Sequence, residues 1–104
     1  MNINFKKLNK DDKIISLIKY LSDKYGKNSF QIKDYWDTDL SAIGLCDKTG
    51  KYLIYIAVYN EHYFVSLEDP PINNDFPYVS AGDYDNVNLS KLEELVTKHL
   101  RINI

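Results

Sequence analysis

At 104 residues, with 44% hydrophobic and 27% charged residues, the chain is sized for one domain with one modest core, and its composition is far from that of chains that stay disordered. Its formal net charge of -2 combines 13 basic with 15 acidic residues, and every basic residue except Arg101 is a lysine, so guanidinium forks for phosphate recognition are nearly absent. One cysteine, Cys46, excludes an intramolecular disulfide and agrees with a reducing cytosol.

The opening residues MNINFKKLNKDD interleave apolar and polar side chains and lack the continuous apolar region of a secretory signal. No apolar run reaches the roughly 18 to 20 residues needed to cross a bilayer. The expectation is a cytoplasmic protein with no membrane association, folded as a single domain over residues 1–104.

In chain order, the first element is a helix from Asn9, with Asn9 as N-cap, Asp11 and Asp12 in the first turn, and Ile14, Ile18, Leu21 and Tyr25 forming one stripe up to Gly26. Period-two, β-rich segments follow at Phe30–Trp36, Leu40–Cys46, Tyr52–Tyr59 and His62–Leu67, with a further strand over Tyr78–Tyr84. Short turns at Asp47–Gly50 and Asn60–Glu61 predict antiparallel hairpins. Glu68–Pro77 holds the chain's three prolines and reads as an ordered surface loop. A second amphipathic helix begins at a Ser90-x-x-Glu93 capping box and carries Leu92, Leu95, Val96, His99 and Leu100 on one face. The predicted fold is α+β: an antiparallel meander of four to five strands flanked by an N-terminal and a C-terminal helix, both on one sheet face.

Strand Tyr52–Tyr59 is apolar on both sides, with Tyr52, Ile54, Ile56 and Val58 on one and Leu53, Tyr55, Ala57 and Tyr59 on the other. One side belongs to the core. The Tyr-rich side is either covered by the chain itself, the favoured expectation, or left as an aromatic platform.

Catalytic chemistry finds little support. A lone Cys46 in a strand reads as a small buried hydrophobe, His99 as a packing residue on the last helix, and His62 as a solvated turn residue. One Cys and two scattered His lack zinc-ligand spacing, the Asp37/Asp39 and Asp83/Asp85 pairs lack the Gly and bidentate Glu of a calcium loop, and Gly26, Gly44, Gly50 and Gly82 form no phosphate-cradling loop. No cofactor or metal is expected, and the chain is not expected to be an enzyme; a small carboxylate-based hydrolase is the weakest of three alternatives.

Charge is distributed unevenly. Residues 1–33 hold eight Lys against three Asp (+5), residues 34–87 hold ten acids against Lys48 and Lys51 (-8), and residues 88–104 contribute +1. Tyr and Trp side chains, nearly all in the acidic segment, could stack bases, but the surrounding charge repels a phosphate backbone, so direct nucleic-acid binding is not expected. An acidic surface studded with Tyr and Trp suits instead the basic cleft of a nucleic-acid-processing protein, carboxylates standing in for phosphates and rings for bases.

The run Trp36-Asp37-x-Asp39-Leu40-x-Ala42-Ile43-Gly44, then Leu53-Ile54-Tyr55-Ile56, the strand exit Glu68-x-Pro70-Pro71 and the terminal Leu-x-x-Leu helix ending His99-Leu100 resemble small bacterial immunity proteins of contact-dependent growth inhibition systems, over residues 30–100. The resemblance implies an immunity protein that binds the C-terminal toxin domain of an exported effector, often a nuclease, and neutralises it in the cytoplasm. It assigns no contact residues. Charge and turn location place the contacts at Asp37, Asp39, Glu61, Glu68, Asp69, Asp75, Asp83, Tyr84 and Asp85. A scaffold or adaptor with a non-toxin partner is the alternative.

Overall fold

A computed structural model of the chain describes residues 9–33, 39–70 and 79–102. Trp36, Asp37, Asp75 and Tyr78 lie outside the described residues, as does most of the proline-bearing loop.

Helix α1 (Asp12–Tyr25) is followed by strands β1 (Gln31–Ile32), β2 (Ala42–Cys46), β3 (Leu53–Tyr59), β4 (His62–Asp69) and β5 (Val79–Val87), and then helix α2 (Leu89–His99). The strands form one five-stranded antiparallel sheet in the order β1-β2-β3-β4-β5, the predicted meander. Short turns join β2 to β3 and β3 to β4. Asn60 and Glu61 both adopt positive φ (47° and 69°), the backbone that lets a two-residue turn follow the twist of β3 and β4.

The β2–β3 turn is built around Asp47, which is nearly fully buried. Its Oδ1 accepts the backbone N–H of Lys51 (2.9 Å) and Tyr52 (3.1 Å), and its Oδ2 accepts the Thr49 hydroxyl (2.7 Å). Gly50 closes the turn at φ 76°, a conformation glycine adopts without steric cost.

Both helices pack on the same sheet face. Ile14, Leu17, Ile18 and Leu21 of α1 and Leu92, Leu95 and Val96 of α2 share one core with Ile43, Leu45, Ile54, Ile56, Val65 and Leu67 of the sheet. Both helical stripes match the predicted periodicity, with Leu17 added to the first and His99 only half-buried in the second.

Helix starts differ from expectation. The N-cap of α1 is Asp11, which makes no side-chain cap bond, while its backbone N–H donates to Leu40 O (2.8 Å) and ties the helix start to the β2 entry. At α2 the cap is Asn88, whose side chain accepts the Lys91 N–H (2.8 Å), so Ser90 lies inside the first turn. Glu93, the expected reciprocal partner of Ser90, turns to α1 instead. It accepts from Lys24 Nζ (2.7 Å), Tyr25 Oη (2.7 Å) and Tyr20 Oη (3.0 Å), clasping the two helices together. Those donors, the Lys24 ammonium first, hold the Glu93 carboxyl below the usual glutamate range.

A carboxyl depressed in the folded state stabilises fully above its unfolded pKa and loses that contribution as pH falls through the folded value. Glu93→Ala should therefore destabilise the fold by about 1 to 2 kcal/mol at pH 7, since the half-buried Tyr25 hydroxyl loses its acceptor. In urea unfolding the gap between variant and parent should narrow below pH 4.5.

Candidate functional site

Alternation along the strands sends Tyr55 and Ala57 of β3 and Phe64, Ser66 and Glu68 of β4 to the face opposite the helices. This face is buried over β2 and half-buried over β3 and β4. Ala42, Gly44, Cys46 and Leu53 are buried, whereas Tyr55, Ala57, Phe64, Ser66 and Glu68 are half-buried and Tyr59 is 68% exposed. Coverage by the chain itself, the favoured expectation, is therefore complete over β2 and partial over β3 and β4.

The Tyr55 and Phe64 rings meet edge to face, 6.2 Å between centroids, a geometry that matches the positive edge of one ring to the negative face of the other. Carboxylates frame the pair. Tyr55 Oη donates to Asp39 Oδ2 (3.4 Å), while Asp39 Oδ1 accepts the Ser41 N–H (3.1 Å) and hydroxyl (3.0 Å). Asp39 thus brackets the β2 entry as well as the aromatic pair. Across β4, the Ser66 hydroxyl donates to Asp83 Oδ1 (2.6 Å). Partial burial, then the neighbouring Asp83 charge, push the Glu68 carboxyl above its usual range.

The remaining candidate residues do not join this cluster. Tyr84 pairs with Val65 and turns to the helix side, where Lys91 Nζ lies 5.8 Å from its ring centroid, so it does not flank Asp83 as neighbours in sequence suggest. Asp69 follows Glu68 in β4 and points away from it. Asp85 is exposed and accepts the Asn86 N–H (2.9 Å). Glu61 occupies the β3–β4 turn, seven residues from Glu68 and so about 23 Å along the strand.

Edge strand β5 supplies a structural reason for part of the acidity. Its register breaks twice against β4, and it carries Gly82, Asp83 and Asp85, features that keep an exposed edge from pairing with another chain. Edge protection accounts for Asp85, which stands apart, better than for Asp83, which is tied to Ser66 and shifts Glu68.

Cys46 is buried, and burial raises its thiol pKa, with Asp47 adding and Lys33 opposing, so the thiol is protonated at neutral pH. The half-buried His99 Nε2 donates to Glu68 O (2.9 Å), and its ring meets Tyr52 edge-on at 5.8 Å. Among the described residues, no three His, Cys, Asp or Glu side chains gather as metal ligands, and no helix is long and apolar enough to cross a membrane.

A second feature lies at the end of the molecule where both helices terminate. A cleft of about 590 Å³ is lined by residues 25–29 at the end of α1, by Asp47, Lys48, Thr49, Lys51 and Tyr52 of the β2–β3 turn, and by residues 100–102 after α2. Arg101 has φ 57° at the position following the α2 cap, where Ile102 N–H bonds to Thr97 O in the manner of a Schellman ending. Left-handed backbone costs a residue with a Cβ roughly 1 to 2 kcal/mol, which is why glycine usually occupies this position. The sequence marks this cluster only faintly, because its cations come from three separated segments.

No family model, curated protein or solved structure matches the chain. The likeness to immunity proteins rests on the residues quoted above.

Proposed function

We propose that this chain is an immunity protein that binds a cognate toxin domain, a basic nuclease such as a ribonuclease, and covers its active site in the cytoplasm of the producing cell. The observation that carries this reading is the half-buried Tyr55–Phe64 pair framed by Asp39, Glu68 and Asp83 on the sheet face the helices leave open. Aromatic anchors ringed by acidic groups suit a cationic cleft evolved for nucleic acid, because rings displace water while carboxylates occupy phosphate positions. The chain contributes no catalytic step in this reading. Its action is occupancy.

The test is co-expression. Cells producing the toxin domain encoded immediately upstream should grow when this chain is present, and cells producing an unrelated toxin should not. A scaffold with a non-toxin partner would use the same face but rescue no toxin, so loss of rescue with retained binding to another basic protein favours that alternative.

Steering adds a kinetic expectation. As the Debye length falls from ~10 Å at 0.1 M salt to ~3 Å at 1 M, the association rate should drop steeply while dissociation changes little. Stopped-flow measurement of both constants across that range checks it, and an association rate independent of salt removes the electrostatic part of the proposal.

A further inference from the structure

The cleft where both helices end has a charge opposite to that of the aromatic face. Lys27, Lys48, Lys51 and Arg101 line it, and the one carboxylate among its lining residues, Asp47, is committed to three hydrogen bonds within its own turn. Among the described residues, Lys27, Lys48 and Lys51 form no ion pairs.

Helix macrodipoles explain some of these cations, since negative helix ends attract lysine. They do not explain Lys48 and Lys51, which belong to a strand turn, nor do they explain why the chain's only arginine occupies a left-handed backbone position that favours glycine. Backbone strain at a named residue points toward a role for its side chain. The Arg101 guanidinium lies 4.3 Å from the Tyr52 ring centroid and donates to Tyr52 Oη (2.8 Å), so its planar fork is oriented before any ligand arrives. One of its five N–H donors is used there, and a fork so held matches two oxygens of a phosphate.

From this juxtaposition we infer that the cleft binds a small phosphate-bearing ligand, with Arg101 as the bidentate anchor and Lys48, Lys51 and Lys27 neutralising the remaining charge. The volume accommodates a ligand of nucleotide size. This site is separate from the proposed toxin-binding face, and its occupancy does not depend on the toxin assignment.

Titration of the full chain with inorganic pyrophosphate, and separately with adenosine diphosphate, tests the inference by calorimetry and by backbone amide shifts. Both probes should bind at low salt with dissociation constants below about 1 mM and shift residues 27, 48–51 and 101. Equal affinities identify phosphate as the recognised group; tighter binding of the diphosphate nucleoside adds contacts to base or sugar. Arg101→Lys keeps the charge but loses the fork and should weaken binding roughly tenfold, as should the double variant Lys48→Gln/Lys51→Gln.

Arg101→Gly is the decisive variant, because it relieves the backbone strain. It should unfold at the same or higher denaturant concentration than the parent and yet lose binding. Glu68→Gln, on the other face, should leave the anion affinity unchanged. Absence of shifts at the cleft residues with either probe, parental affinity in Arg101→Gly, or binding of single-stranded RNA with neither small probe binding would overturn the inference.

Discussion

Replacing Tyr55 or Phe64 with Ala should raise the dissociation constant of the toxin complex by about 30-fold or more, corresponding to roughly 2 kcal/mol. Aromatic side chains at the centre of a desolvated patch carry most of the energy of such interfaces, while surrounding contacts serve to exclude water. Edge-to-face packing fixes both rings, so little entropy is lost when a partner covers them. Because both rings are half-buried, their removal also weakens the fold, and variants of the frame provide the cleaner measure. Glu68→Gln and Asp83→Asn keep shape while removing charge. At least one of these should cost tenfold or more in affinity, about 1.4 kcal/mol, with unfolding midpoints nearly unchanged. Lys13→Ala and Lys19→Ala on α1 should leave affinity at the parental value, since both lie on the helix that covers the other sheet face. Calorimetry on both sets decides the matter: loss of affinity in the lysine variants with parental affinity in the aromatic and acidic ones puts the partner on the helix side.

The order helix, meander, helix was legible because each element carries its own period. The stripe Ile14, Ile18, Leu21 and the stripe Leu92, Leu95, Val96 repeat at helical spacing, and both residues of the Asn60–Glu61 turn accept the required backbone. What local pattern could not convey was competition from distant residues. The Ser90-x-x-Glu93 signature is complete in sequence, yet Glu93 has three donors on α1 that no local rule anticipates, and Asn88 caps the helix two residues earlier. Strand β5 extends to Val87, beyond the expected end at Tyr84, because pairing with β4 overrides the poor strand propensity of Gly82, Asp83, Asp85 and Asn86.

The candidate site was legible as charge but not as geometry. A count over residues 34–87 groups ten acids with two lysines, whereas the fold sends Glu68 and Asp83 to one sheet face, Tyr84 to the other, and Lys48 and Lys51 to a basic cleft with Lys27 and Arg101. Sheet alternation and chain reversal perform that sorting, and neither is visible in a running sum of charge. Charge and turn location do not single out Phe64 as a contact, because an aromatic in a strand carries no such signal until its cross-strand neighbours are known.

Asp47→Ala should destabilise the fold by about 3 kcal/mol at pH 7, the largest stability effect expected of any charged residue described here. The side chain is buried, and its two oxygens satisfy the backbone N–H groups of Lys51 and Tyr52 together with the Thr49 hydroxyl. Alanine leaves these donors without that acceptor and frees a four-residue turn. Burial alone would raise the carboxyl pKa, but the Thr49, Tyr52 and Lys51 hydrogen bonds outweigh it and leave the group below its ordinary 3.8. The contribution of the charge is therefore complete above pH 3.8 and is lost as the pH falls through the folded value. Asp47→Asn retains one acceptor oxygen and should cost less than alanine at pH 7, with both variants approaching the parent as the pH drops below that threshold. Because the same turn carries Lys48 and Lys51, Asp47→Ala should also blur the basic cleft and weaken pyrophosphate binding, while Asp47→Asn, with the turn largely kept, should bind nearly as the parent does. Urea unfolding between pH 2.5 and 7, paired with the pyrophosphate titration, separates the two effects: if both variants match the parent in stability at pH 7, the buried carboxylate does not organise this turn.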